Sequence, residues 1–78
     1  MNSKIYDEWL RINVELNNKL ENLKEIDKER EIIINEAKEN ELSDELKEKM
    51  NINISKYNAL LEEIKIINIK AKDLNEKI

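Results

Sequence analysis

Few residues of this sequence are of the types that catalyse reactions or bind cofactors. It contains no His, no Cys and no Gly. A hydroxyl nucleophile normally needs a His as its base, a di-iron site in a helix bundle needs Glu-x-x-His, and a phosphate-binding loop needs Gly. Carboxylate pairs at helical spacing, such as Glu25 with Glu29, are typical of a solvated helix face in so acidic a chain. We therefore expect no enzyme and no bound cofactor or metal.

Arg30 is the polar residue with the strongest case for a special role, because it interrupts an otherwise apolar pattern. It could bind an anionic ligand between helices. It could instead fix the helix register by hydrogen bonding to Asn53, with its methylene stem packed and its charged head reaching towards solvent. The second interpretation is favoured, so Arg30 and Asn53 are predicted to form a register-setting polar core. Trp9 and Tyr57 are similarly interpreted as core anchors rather than ligand platforms.

The composition favours long helices in a small, partner-dependent domain. Charged residues make up 41% of the chain and hydrophobic residues 40%, while Gly and Pro, which interrupt helices, are absent. This balance is typical of long helical chains and not of disordered ones. A domain of 78 residues has a small core, and without Cys or His neither a disulfide nor a Cys/His-ligated zinc can add stability. Self-association or docking on a partner is the remaining route.

Apolar residues recur at the a and d positions of a seven-residue repeat, which we name the seam. In the first half of the chain the seam consists of Ile5, Trp9, Ile12, Leu16, Lys19, Leu23, Ile26, Arg30, Ile33 and Ala37. In the second half it consists of Leu46, Met50, Asn53, Tyr57, Leu60, Ile64, Ile67, Ala71, Leu74 and Ile78. Three seam residues are polar, and the others predict that each half forms an amphipathic helix.

The repeat loses its phase between Ala37 and Leu46, where we predict a turn. Asn40 tolerates the left-handed conformation that often ends a helix. Ser43 can cap the next helix, which has two acidic residues in its first turn. The sequence therefore predicts one all-α domain over 1–78, an antiparallel two-helix hairpin (a helical coiled-coil hairpin) with helix 3–39, turn 40–43 and helix 44–77.

The charges beside the seam support this reversal of the chain. Folding at the turn brings the g positions of the two helices together. It pairs Glu36 with Lys49, Glu29 with Lys56, Glu15 with Lys70 and Glu8 with Lys77, and leaves Glu63 beside Asn22. The same register puts Arg30 opposite Asn53 and Trp9 in a layer with Leu74. Each exposed ion pair contributes only ~0.2–1 kcal/mol, so the pairs indicate the register more than they stabilise it.

The opposite side of the hairpin carries an apolar row, which we name the e flank. It comprises Tyr6, Leu10, Leu20, Ile34, Ile54 and Leu61. A lone hairpin would leave these side chains in water, and a contiguous apolar stripe usually marks an interface. The favoured interpretation is a homodimer in which two hairpins form a four-helix bundle. A helical partner protein and an energetically idle stripe are the alternatives.

Three segments of the sequence resemble flagellar FliT-type export chaperones. They are KEREIII (28–34), NELSDELKEKMN (40–51) and NALLEEIKIINIK (58–70), which give a helix ending in an Arg-Glu-aliphatic run, a short acidic turn and a long Lys/Glu helix. Members of that family are small, acidic, cytoplasmic helical proteins that bind export substrates and deliver them to the secretion apparatus. The resemblance implies that an apolar helical flank binds another helix.

These observations favour an adaptor or export-type chaperone that binds a partner helix through the e flank. A small acidic phage- or plasmid-type regulator that occludes a target protein is the alternative. A nucleic-acid-binding hairpin dimer has less support, because the net charge is −4 and a phosphate-binding surface is normally basic. No apolar run approaches the ~18 residues of a membrane span, and no signal peptide is visible. We expect a cytoplasmic bacterial protein.

Overall fold

The computed structural model describes residues 3–78, which form two long helices, α1 (Ser3–Glu39) and α2 (Asp44–Lys77). The helices pack against each other in antiparallel orientation and give a rod of 60 × 15 × 13 Å. The predicted all-α two-helix hairpin is confirmed, and the turn lies where the repeat loses its phase. The first two residues of the predicted domain lie outside the described part of the chain. Neither helix, over residues 3–78, contains a stretch long and apolar enough to cross a membrane.

The predicted seam is the side of each helix that packs against the other. Eight apolar seam residues are buried, and they are Ile12, Ile33, Leu46, Leu60, Ile64, Ile67, Ala71 and Leu74. Asn53 is buried as well, and the other seam residues are half-buried except Ile78. Ile78 follows the last residue of α2 and is 54% exposed, so it does not complete the seam as predicted. Many seam residues stay half-buried because each helix packs against only one other helix of the described chain.

The turn is built by a cap on α2 rather than by a left-handed residue. Ser43 has extended backbone angles, and its hydroxyl accepts a hydrogen bond of 3.1 Å from the amide of Leu46. This is the predicted N-cap, which satisfies one of the free amides of the first helical turn. The left-handed conformation considered for Asn40 is wrong, since no residue of 3–78 has a positive φ. The Asn40 amide instead donates to the carbonyl of Glu36, which continues the helical hydrogen bonding by one residue.

The largest buried cluster lies at the end of the hairpin opposite the turn. We name this end the foot and the turn end the tip. The cluster contains Ile12, Ile67, Ala71 and Leu74, and it is covered by Ile5, Trp9 and Leu16. Trp9 therefore packs beside Leu74 as the register predicts. The Trp9 indole Nε1 also donates a hydrogen bond to Oδ1 of Asn75, which ties the two helices together at the foot.

Fewer ion pairs form between the g positions of the two helices than the sequence predicts. Glu29 and Lys56 lie 4.0 Å apart, but within residues 3–78 the other three predicted g pairs do not approach to that distance. Lys49 instead contacts Glu45 one turn away on its own helix, at 3.7 Å. Exposed lysines gain so little from any one partner that local carboxylates compete with those across the seam.

Candidate functional site

The e flank is exposed along one whole side of the hairpin. The six side chains predicted to form it are between 36% and 42% exposed. Each is therefore more than half covered by its own hairpin, while its outer part is in water. Apolar side chains that are partly covered and lie in a row line a groove, whereas isolated exposed side chains do not. A surface of this kind is where one expects a partner to bind.

The register of the hairpin determines how the e flank is arranged. Side-chain contacts between the helices define that register, among them Trp9–Asn75, Lys19–Glu63, Glu29–Lys56 and Arg30–Asn53. They place Leu20 of α1 beside Leu61 of α2, at the middle of both helices. Ile54 and Ile34 follow towards the tip, and Tyr6 and Leu10 lie towards the foot.

At the foot, Tyr6 is held in place by an aromatic neighbour. Its ring stacks on Trp9 with centroids 6.1 Å apart and an angle of 17° between the ring planes. Trp9 is in turn hydrogen bonded to Asn75. These residues and Ile78 line a shallow groove of about 180 Å³. Tyr6, which is 42% exposed, is therefore the e-flank residue that borders this groove.

At the tip, the e flank widens into an apolar groove of about 420 Å³. Its walls include Ile34, Leu42 and Met50, and Lys38 and Lys47 lie at its rim. Leu42, which is 56% exposed, was not among the predicted interface residues. An apolar residue within an otherwise polar turn was the signal that could have identified it.

The polar layer of the seam is closed by hydrogen bonds. Arg30 Nε donates to Asn53 Oδ1 at 2.7 Å, as expected, and Asn53 Nδ2 donates to the backbone carbonyl of Ile26 at 2.9 Å. The Arg30 guanidinium carbon lies 4.8 Å from the centroid of the Tyr57 ring, within the range of a cation–π contact. The sequence did not predict the last two contacts. With its Nε and its face both engaged, Arg30 fits a structural role better than capture of an anion.

Lys19, the other charged residue of the seam, reaches out of the core to a carboxylate. Its ammonium lies 3.0 Å from Glu63, and its side chain is 30% exposed. Glu63 therefore contacts Lys19 rather than only facing the uncharged Asn22 as the g positions suggested. The aliphatic stem of Lys19 stays in the seam while its charge reaches the surface.

A second apolar groove lies on the g side of the hairpin near the tip. Ile32 and Ile52 form its lips above Ile33, and its volume is about 320 Å³. The two lip residues are 60% and 48% exposed. Both stand at c positions of the heptad and therefore belong to neither the seam nor the e flank. Folding the heptad diagram at the turn places Ile32 and Ile52 at the same level on the g side, and this coincidence could have indicated the groove.

The described residues offer apolar contact surfaces and satisfied polar groups. Every buried side-chain nitrogen or oxygen in residues 3–78 has a hydrogen-bond partner. No three carboxylates in that part of the chain come close enough together to hold a metal ion. The grooves along the e flank and beside Ile32 are therefore the surfaces on which a functional proposal can rest.

Comparisons of the chain with protein-family models, with curated proteins and with solved structures gave no match. The resemblance to FliT-type export chaperones therefore stays a prediction. Any proposal about function has to rest on the exposed surfaces of the hairpin and on the register that arranges them.

Proposed function

We propose that this protein is a non-enzymatic interaction module that binds an amphipathic helix through the e flank. The observation that carries the proposal is the row of partly covered apolar side chains that runs from Tyr6 at the foot to Ile34 at the tip. A helix laid in this groove would cover the exposed part of each side chain. Binding of a helix in an apolar groove is a recurring mode of peptide recognition.

The shape of the groove favours a helix over an extended peptide. The e flank lies between two antiparallel helices and follows them along a rod 60 Å long. Its apolar members repeat at multiples of seven residues, as from Leu20 to Ile34 and from Ile54 to Leu61. A partner helix with apolar residues at a and d positions matches that spacing and completes a bundle. An extended strand would need free backbone edges, which helices do not offer.

The same flank supports self-association into a four-helix bundle. The described part of the hairpin buries eight apolar residues, which is a small core for its length. Small domains commonly need a partner for stability. A second copy and a partner helix would then compete for one surface. In this proposal the free protein is a dimer. As an adaptor or export-type chaperone, it exchanges the second copy on its e flank for the partner helix.

Regulation of a target by charge is the second candidate. The net charge of −4 and the many exposed carboxylates suit a regulator that occludes a basic surface of another protein. Such binding weakens steeply as salt screens the charges. Helix binding through an apolar groove depends little on salt, so a titration at two ionic strengths separates the two candidates.

Affinity capture from the producing cells tests the proposal. Three forms are compared, namely the wild type, a Leu20→Asp/Leu61→Asp variant and a control with Val14→Asp/Ile69→Asp. Val14 and Ile69 are 57% and 63% exposed and lie on the outward side of the helices. A partner of the e flank is retained by the wild type and the control and lost by the Leu20/Leu61 variant.

The captured partner then supplies a direct measurement. A synthetic helix from that partner is titrated against the three forms. We expect at least a tenfold weaker Kd for the Leu20→Asp/Leu61→Asp variant and less than a twofold change for the control. Equal binding by all three forms would reject the e flank as the binding surface.

A further inference from the structure

We infer that the e flank binds a second copy of this chain in antiparallel orientation, with the two-fold axis passing through the layer of Leu20 and Leu61. This inference rests on the proposed role of the e flank as an interface. It goes further by naming the orientation of the two copies and the residues that meet. Its basis is that a two-fold interface must be complementary to itself.

The Leu20–Leu61 layer is the natural position for such an axis. It lies at the midpoint of α1 (Ser3–Glu39) and of α2 (Asp44–Lys77). A two-fold axis there, perpendicular to the helices, lays α1 on the partner's α1 and α2 on the partner's α2. The two hairpins then overlap along their full length, with the tip of each on the foot of the other.

The e positions of α1 match each other under this operation. Leu20 meets the partner's Leu20 on the axis. Ile34 and the partner's Tyr6 lie fourteen residues from the axis on opposite sides and meet apolar to apolar. Asp27 meets the partner's Asn13, and a carboxylate and an amide can hydrogen bond. All three kinds of pair in α1 are therefore compatible.

The e positions of α2 match nearly as well. Leu61 meets the partner's Leu61 on the axis, and Lys47 meets the partner's Asn75. Ile54 meets the partner's Asn68, which is the one apolar side chain placed against a polar one. Five of the six kinds of pair along the interface therefore join side chains of like polarity.

The parallel arrangement of the same two hairpins fits worse. An axis along the rod lays α1 on the partner's α2 with both tips at one end. Leu20 and the partner's Leu61 then match, as do Asn13 and the partner's Asn68. Three pairs do not match, namely Ile34 with the partner's Lys47, Asp27 with the partner's Ile54, and Tyr6 with the partner's Asn75. The pattern of the e flank therefore selects the antiparallel dimer.

The ends of the flank are complementary in shape as well as in polarity. Tyr6 and Leu10 lie at the foot, and each is about two-fifths exposed. In the antiparallel dimer they face the partner's tip, where the groove of about 420 Å³ opens between Ile34, Leu42 and Met50. Stacking on Trp9 fixes the Tyr6 ring before binding, so little side-chain entropy is lost when it enters the groove.

The size of the surface is sufficient for a stable dimer. One long side of a rod 60 Å by 15 Å has an area of about 900 Å². Stable interfaces of standard size bury about 800 Å² on each partner. A dimer that uses the whole e side therefore reaches the usual size, whereas one that used only the tip would not.

Spin labels test the orientation directly, since the chain has no Cys of its own. A single nitroxide is attached at Glu41→Cys, in the turn. In the antiparallel dimer each turn lies ~30 Å from the axis at ~1.5 Å per residue, so the two labels are expected ~60 Å apart. In a parallel dimer both turns lie at one end, less than ~30 Å apart. A label at Asn18→Cys, near the axis, reports dimer formation in either orientation.

Each outcome decides between the possibilities. A long Glu41 distance with a short Asn18 distance supports the antiparallel dimer. Two short distances overturn the orientation, and a monomer by light scattering at micromolar concentration overturns the second copy as the occupant. If the monomer still binds a partner helix, and loses it with Leu20→Asp/Leu61→Asp, the proposed function survives while this inference fails.

A charge-swap experiment gives a second, independent test. Leu20→Asp places two carboxylates together on the antiparallel axis and is expected to dissociate the dimer, whereas Val14→Asp is not. Mixing Leu20→Asp chains with Leu20→Lys chains is expected to restore a dimer containing one of each. Restoration by mixing Leu20→Asp with Leu61→Lys instead would show the parallel arrangement and overturn the inference.

Discussion

Asn53 is the fully buried polar side chain of the described residues, and its surroundings explain why an amide suits this position. Its oxygen accepts from Arg30 on the other helix, and its nitrogen donates to the carbonyl of Ile26. An amide can do both, whereas an ionised carboxylate could accept but not donate. Sliding the helices by one heptad would place Asn53 against apolar residues. The layer thus opposes other registers.

Replacing Asn53 by Ala removes few atoms but is expected to destabilise the hairpin strongly. The change leaves the Arg30 guanidinium partly buried without its partner, which costs roughly 1–3 kcal/mol. Urea unfolding followed by circular dichroism at fixed protein concentration measures the effect.

The matched control for Asn53→Ala is the double variant Arg30→Leu/Asn53→Leu. Replacing both polar partners by apolar residues is often neutral or stabilising, so this variant should unfold at a urea concentration equal to or above that of the wild type. A double variant as unstable as Asn53→Ala would show that the polar pair contributes net stability.

Ser43→Ala removes the cap of α2 and is expected to lower the unfolding free energy by about 1 kcal/mol. The amide of Leu46 then loses its 3.1 Å acceptor. Ser55→Ala is the control, because Ser55 is an exposed residue inside the same helix, where Ala is the better helix former. Thermal melts of both variants decide the matter, and equal melting temperatures would argue against the cap.

At the scale of the helices, the sequence predicted what depends on periodicity and local capping. The seam of both helices, the turn and the Ser43 cap follow from apolar spacing and from one side chain that satisfies free amides. The g ion pairs were mostly wrong, because a heptad diagram gives the side of a helix and not the conformation of a long side chain. Lys49, with Glu45 one turn away, shows this. The Asn40 conformation depended on local backbone geometry that the residue type permits but does not require.

The Glu29–Lys56 pair permits a test of the register across the seam. Lys56→Glu is expected to destabilise the hairpin at low salt by less than ~1 kcal/mol, since both side chains are about half exposed. Adding Glu29→Lys should recover the stability that Lys56→Glu removes. Lys70→Glu, alone and together with Glu15→Lys, serves as the control. Glu15 and Lys70 form no ion pair in the structure, so no recovery of stability is expected from the second change. If the double-mutant cycle gives a coupling free energy of zero between Glu29 and Lys56, the pair no longer supports the register.

At the scale of the whole molecule, apolar grooves lie on two sides of the rod, and the sequence predicted one of them. The e flank was found from its continuity along the heptad. The groove between Ile32 and Ile52 was not, because it forms only when the two helices bring two c positions to the same level on either side of the g row.

Dimerisation through the e flank predicts that thermal stability depends on concentration. Mass action stabilises an assembly whose unfolding releases two chains, so the melting temperature should rise when the protein concentration is raised tenfold. The Leu20→Asp variant, as a monomer, should melt at one temperature at both concentrations. A concentration-independent melt of the wild type would contradict the dimer.

The tie between Trp9 and Asn75 has a consequence for how the hairpin forms. These residues are 66 positions apart in the chain, whereas Arg30 and Asn53 are separated by 23. Closing the longer loop first would cost ~1 kcal/mol more in chain entropy, so closure is favoured to start at the capped turn and proceed towards the foot. Trp9 is the one tryptophan of the sequence and lies near the last stretch to close. Its fluorescence should therefore lag behind the recovery of helicity during refolding and report fraying before the rest of the rod opens.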